Sequence, residues 1–140
     1  MLHAHIITPD GSMFEGDVDA MSLPTPDGEI TVLPHHIPLI SIVVPGTIVV
    51  RQGKEELLFA CSSGVIEVDG KTIRVLTDTA DRAEKLEEAA VEAARRAAEK
   101  LTAERRLDSE GFAEATAVLD RELARLQTIR RLKARGHRSK

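Results

Sequence analysis

Residues Leu76 to Arg82 read Leu-Thr-Asp-Thr-Ala-Asp-Arg, and no single element can accommodate the patterns on both sides of this stretch. Upstream, apolar residues alternate or cluster in short β-branched runs broken by Gly and Pro. Downstream, both breakers nearly vanish and Ala, Glu, Arg and Leu take over. The pattern switches from sheet to helix, which sets an all-β domain, sandwich or barrel, over residues 1–80 and a two-helix hairpin with a basic tail over residues 81–140.

Charge divides at the same place. Residues 1–78 carry eleven acidic and four basic side chains, a balance of −7, whereas residues 79–140 carry twelve acidic and fifteen basic, a balance of +3. The overall charge of −4 therefore hides an acidic body joined to a mildly basic appendage. No stretch reaches the roughly eighteen uninterrupted apolar residues of a membrane helix. The most apolar segment, Ile37 to Val50, is interrupted by Pro38, Ser41, Pro45 and Gly46, so no direct membrane insertion is expected. The first residues lack a basic segment followed by an apolar one, and Cys61, the only cysteine, has no internal disulfide partner. Both features point to a cytosolic, reducing setting.

Upstream of the switch, strands are expected at Leu2 to Thr8, Met13 to Val18, Ala20 to Leu23, a brief one after Gly28, Leu39 to Val44, Thr47 to Arg51, Glu55 to Cys61, Val65 to Val68 and Thr72 to Leu76. Turn clusters at Thr8-Pro9-Asp10-Gly11, Pro24-Thr25-Pro26-Asp27-Gly28, Pro45-Gly46 and Gln52-Gly53 separate them. Short strands at this spacing indicate an all-β sandwich or barrel. Asp69-Gly70 is read as a tight hairpin turn, with Ile66 and Val68 facing inward beside Ile73 and Val75. His3 and His5 share a strand face without a third ligand nearby, so no metal is assigned. His35-His36 in a Pro-bounded loop, together with Cys61, suggests a small Cys-His enzyme as one functional class, although adjacent loop histidines more often serve turns or interfaces.

Downstream, a helix is expected to start at Thr79 or Asp81, either side chain capping the first turn. Leu86, Ala90, Ala93, Ala97 and Leu101 form its apolar stripe, and Leu107 to Gly111 breaks the pattern. A second helix follows with Phe112, Ala115, Leu119, Leu123, Leu126 and Ile129 as its stripe, making an antiparallel hairpin. A buried Leu, Ile or Phe contributes about 1.5–3 kcal/mol and Ala far less, so an Ala-lined hairpin should depend on docking. From Arg130 to Lys140 there are six basic residues and no acid, which favours an acidic protein surface as partner. Nucleic acid is not expected, because the chain has no Trp or Tyr and only three Phe for base stacking.

Gly28-Glu29-Ile30, Leu33-Pro34, His36 with Pro38-Leu39, Pro45-Gly46, Ser63-Gly64 with Glu67-Val68, and Leu76 to Ala80 occur in an order and spacing that resemble the epsilon subunit of bacterial F-type ATP synthases, called delta in mitochondria. The resemblance covers nearly the whole chain. That family usually has Gly at the positions of Thr31 and His35, so a different local backbone is expected there. The resemblance implies a non-catalytic rotor subunit on the cytoplasmic face of the bacterial plasma membrane. Its sandwich would bind the gamma subunit and the c-ring, with Glu29 and His36 in the c-ring region. Its hairpin would fold against the sandwich or extend into the alpha/beta catalytic head and block ATP hydrolysis. Charge and position make Arg95, Arg96, Arg105, Arg106, Arg121, Arg125, Arg130 and Arg131 candidates for contacts with acidic loops of that head.

Some relatives bind ATP through Ile or Leu, Asp, two variable residues, Arg and Ala. The matching residues here are Leu86, Glu87, Ala90 and Val91, and without the guanidinium a charge-assisted contact is lost, so weak or absent ATP binding and no other cofactor are expected. The remaining alternative is a stand-alone β-sandwich binding module with a helical interaction arm.

Overall fold

The computed structural model describes residues 1–105 and 109–138. Ten strands form two five-stranded sheets, followed by two helices. The first sheet runs in the order β2 (Gly11–Val18), β1 (Leu2–Thr8), β9 (Thr72–Thr77), β8 (Gly64–Val68), β5 (Leu39–Val43). The second runs β10 (Ala80–Arg82), β7 (Glu55–Cys61), β6 (Gly46–Gln52), β3 (Ala20–Thr25), β4 (Gly28–Val32). All pairings are antiparallel except β1 with β9, which brings the two ends of the sandwich sequence together in parallel.

Alternation builds the core. Leu2, Ala4 and Ile6 of β1, Ile66 and Val68 of β8, and Ile73 and Val75 of β9 point inward and meet Met21, Leu23, Ile48, Val50 and Phe59 of the opposite sheet. Ile66 lies opposite Val75 and Val68 opposite Ile73, the expected inward pairs. Phe14 meets Phe59 edge to face, with ring centroids 6.1 Å apart. The two sheets differ on their outer faces. In β6 and β7 the outward residues Val49 and Leu58 are also buried, because helix α2 covers them.

The β8–β9 turn is centred one residue later than Asp69-Gly70. Asp69 pairs with Thr72, its amide donating to the Thr72 carbonyl at 3.1 Å, so the central residues are Gly70 and Lys71. Only Gly70 has positive φ, at 96°, and the Asp69 carboxylate accepts from the Lys71 and Thr72 amides. That arrangement needs left-handed backbone at one position rather than two. Gly64 is required for a different reason. A Cβ there would lie 1.9 Å from the Leu76 carbonyl oxygen, so the chain has no room for a side chain.

No helix starts at Thr79 or Asp81. Ser62 Oγ accepts from the Thr79 amide at 2.8 Å, Asp81 lies opposite Ala60, and Ala80–Arg82 adds a strand to the edge of the second sheet. The sheet edge thus uses the backbone groups that a helix start would need. A 3-10 turn follows at Ala83–Lys85, and α1 spans Glu88–Glu104 without a side-chain cap. Helix α2 spans Ser109–Arg138, so Glu110 and Gly111 are helical and Gly111 is buried. The expected break is thereby confined to positions before Ser109, of which Leu107 and Asp108 lie outside the described residues.

The apolar stripe of α1 is displaced by one residue, a rotation of about 100°. Val91 and Ala98 are buried, whereas Ala90, Ala93, Ala97 and Leu101 are exposed. β-branched Val91 offers more apolar area than any of the alanines, and it packs with Leu126 and Ile129 of α2 and with Leu86. In α2, Ala115, Leu126 and Ile129 are buried as expected, but Phe112 and Leu123 are exposed. This helix has two covered faces rather than one. The stripe through Leu126 and Ile129 meets α1, and the one through Ala124, Thr128 and Leu132 meets the sandwich.

Candidate functional site

Two surfaces carry chemistry: the seam where α2 docks on the second sheet, and the bare outer face of the first. At the seam, Leu132 packs on Val49, Leu58 and Ala83, a small apolar contact. Around it the charge division of the sequence closes on itself. Arg125 reaches Asp81 at 2.8 Å, Arg131 reaches Glu29 at 3.1 Å, and Arg135 reaches Glu56 at 3.0 Å. Each of these basic groups comes from α2; Glu29 and Glu56 come from the acidic first part of the chain, and Asp81 from β10 at the edge of the second sheet. The Arg131 and Arg135 pairs are the more exposed and contribute about 0–1 kcal/mol each, orienting the helix more than holding it, whereas the Arg125–Asp81 pair is part-buried.

Two threonines sit inside the seam. Thr128 Oγ1 donates to the Ala124 carbonyl at 2.8 Å and lies 2.7 Å from Thr47 Oγ1 on β6. A hydroxyl has one proton, and because Thr128 commits its own to Ala124, Thr47 is the donor between them. Lys133 also ties α2 to α1 through Glu88.

The candidate cations fall into distinct groups. Arg95 is bound to Glu92 and Glu99 along α1, and its hydrogen bond to Glu92 holds that carboxyl below its ordinary pKa. Arg96 stands 3.8 Å from Glu92 and Arg121 3.4 Å from Glu122. Arg105 and Arg130 are exposed. Arg106 lies outside the described residues. Arg125 and Arg131 are engaged with the sandwich, so in this conformation they face its acids rather than those of another chain.

Glu29 and His36 are not brought together. Glu29 is next to the turn at the start of β4, under Arg131, while His36 lies beyond the other end of the strand. His36 Nδ1 is 2.7 Å from the Ile37 carbonyl, and the His35 amide donates to the Gly70 carbonyl at 2.8 Å. His35 has φ +69°, a left-handed conformation that glycine accepts more readily. A histidine therefore occupies a backbone geometry that a glycine would favour.

Leu86 and Val91, two of the ATP-signature positions, are part of the hairpin core. Glu87 precedes the first turn of α1, and Ala90 faces outward. Cys61 is 1% exposed, and burial pushes its thiol up to about 12, so it holds no thiolate near neutral pH. That removes the nucleophile a Cys-His enzyme would need. His3 is held above its ordinary pKa by hydrogen bonds first to Glu15 and then to Asp17, and His5 bonds Ser12.

The outer face of the first sheet was not anticipated. Ile42 lies opposite Val65, Val65 opposite Leu76, and Leu76 opposite Ile7, so one apolar row crosses four strands on the solvent side. Ile42 is 58% exposed, and its neighbour Ile40, on the same face, is 78% exposed. Outward positions of a half-buried sheet are normally polar, and β5 carries Ile at both. That departure from alternation was the available sequence signal. Contiguous exposed apolar surface of this kind is a candidate docking site.

Residues 1–83 match the family model described as "ATP synthase, Delta/Epsilon chain, beta-sandwich domain". The chain is 37% identical over 138 residues to the ATP synthase epsilon chain of Hydrogenovibrio crunogenus, covering 99% of this chain and 95% of that one. It is 36% identical to the epsilon chain of Alkalilimnicola ehrlichii, covering 98% of each. Among solved structures, it superposes on a chain of the Euglena gracilis mitochondrial ATP synthase, OSCP/F1/c-ring assembly, with a TM-score of 0.72 at 19% identity, covering 85% of this chain and 75% of that one. At that identity the likeness is one of fold.

Proposed function

The chain belongs to the delta/epsilon family of ATP synthase subunits, and from that premise we propose that it is a non-catalytic link in the central stalk of a proton-translocating F-type ATP synthase. The observation that carries this reading is the apolar row Ile42, Val65, Leu76 and Ile7, flanked by Ile40, on the first sheet. A surface of this chemistry suits a permanent protein partner, and the gamma subunit is that partner. The c-ring would be met through the segment bearing Glu29 and His36. No helix among the described residues is long and apolar enough to span a membrane, and the subunit would sit peripherally at the cytoplasmic face of the bacterial plasma membrane.

The hairpin supplies regulation. Docked as here, it keeps Arg125 and Arg131 on the sandwich. Extended, the same arginines, with Arg95, Arg96, Arg105, Arg121 and Arg130, would meet acidic loops of the alpha/beta head and slow ATP hydrolysis. A seam made of three ion pairs, one buried hydroxyl pair and one small apolar cluster supports such release. ATP is not a strong ligand in this reading, because Ala90 supplies no cation and Leu86 and Val91 are used in packing.

The test is binding of the full chain to the gamma subunit after Val65→Glu and Leu76→Glu together. Both side chains point to solvent, so the sandwich should keep its circular dichroism spectrum. Affinity should fall by about tenfold or more, as expected when central apolar contacts are charged. Unchanged affinity would move the gamma contact elsewhere and remove the basis of the assignment.

A further inference from the structure

Arg125 touches two carboxylates on different parts of the fold. Its Nε and Nη2 donate to one oxygen of Asp81, on β10, at 3.0 and 2.8 Å, and its Nη1 donates to Glu122 Oε1 at 2.8 Å. Glu122 is 1% exposed, and its second oxygen has no hydrogen-bond partner among the described residues. Glu122 shares a helical stripe with Leu126 and Ile129, the stripe that packs against α1, whereas Thr128 and Leu132 lie on the stripe packed against the sandwich. Arg125 projects between the two stripes.

We propose that Arg125 joins closure of the hairpin and its docking on the sandwich into one event, so that the hairpin opens when it leaves. This deepens the proposed regulation and rests on the hairpin being movable. A buried carboxylate is tolerated only while a cation compensates it. Two cations compensate Glu122 here, Arg121 with its Nε 3.4 Å from Oε1 and Arg125 with its Nη1 2.8 Å from the same oxygen, and the closer of the two is itself held in place by Asp81. Lifting α2 off the sandwich removes the Asp81 anchor, lets the Arg125 guanidinium turn to water, and leaves Glu122 in the seam between the helices with only the longer Arg121 contact. The helices then part. Arg125 acts as a positioning residue, and Glu122 as the element that makes a closed but undocked hairpin unfavourable.

The experiment is hydrogen exchange of α1 amides in the full chain alone. In the first arm, a disulfide between Thr47→Cys and Thr128→Cys locks docking, with the reduced form as control. Locking should slow α1 exchange about tenfold or more, although the bridge does not touch α1. Unchanged α1 exchange would show that closure is independent of docking and overturn the proposal. In the second arm, Arg125→Met should speed α1 exchange about tenfold or more, and adding Glu122→Met should bring it back to the wild-type rate or below. If the double variant exchanges as fast as Arg125→Met alone, the buried carboxylate is not the link. Both arms use the isolated chain, so they can fail while a brake on ATP hydrolysis in the parent complex stands, and the reverse.

Discussion

Replacing Thr128 by Val removes the acceptor that the Thr47 hydroxyl uses inside the docking seam. The Ala124 carbonyl is not orphaned by this change, because in the helix it still receives the amide of residue 128. Thr47, however, is buried, and its hydroxyl would have no acceptor. The cost of that unmet donor is about 1–3 kcal/mol. Thr47→Val is the milder change, since Thr128 keeps its bond to Ala124 and loses only a donated proton, a loss of about 0.5–1.5 kcal/mol. The double variant puts two methyl groups face to face and should cost less than Thr128→Val alone, giving an interaction energy of about 1 kcal/mol or more in a double-mutant cycle. Native-state hydrogen exchange of α2 amides reads these differences directly. Equal costs for the two single changes, or strict additivity, would refute the assigned direction of the bond and the claim that this contact holds the hairpin.

Three other positions give sharp expectations. His35→Gly should raise the unfolding free energy by up to about 1 kcal/mol in urea titration, because the left-handed backbone no longer strains a side chain. Gly64→Ala should lower it by about 1–3 kcal/mol, since a Cβ would collide with the Leu76 carbonyl. Cys61 has a folded pKa of about 12 against an ordinary 9.0, so its contribution is fully present below about pH 9 and is lost as pH rises towards 12. Stability measured over that window should therefore fall less steeply in Cys61→Ala than in the wild type.

The sandwich was largely legible because alternation and turn chemistry are local properties. Ile66 and Val68 in residues 65–68, and Ile73 and Val75 in residues 72–75, show their direction by their spacing of two, and the register bears them out. The helix start is not legible in the sequence, because Thr79 and Asp81 look like caps while the free edge of β7 that receives residues 80–82 exists only in three dimensions. The stripe of α1 is faint in the sequence because an Ala-rich helix has little contrast between faces, and Val91, its largest buried side chain, sets which face is covered. Charge asymmetry between the halves was visible, but its acidic counterpart was sought outside the chain. Glu29, Glu56 and Asp81 receive α2 here. The outer apolar row is hidden in the sequence because its members lie on four separate strands, far apart along the chain.

ATP hydrolysis by the parent complex, measured with the chain carrying Thr47→Cys and Thr128→Cys, tests the central reading most directly. Because β10 belongs to the sandwich, the matching truncation ends at Glu87, just before α1. Oxidation should hold the hairpin on the sandwich and raise hydrolysis several-fold, to roughly the level of the truncated chain, and reduction should restore the lower rate. Identical hydrolysis in the oxidised, reduced and truncated complexes would contradict the account of the helices as a brake.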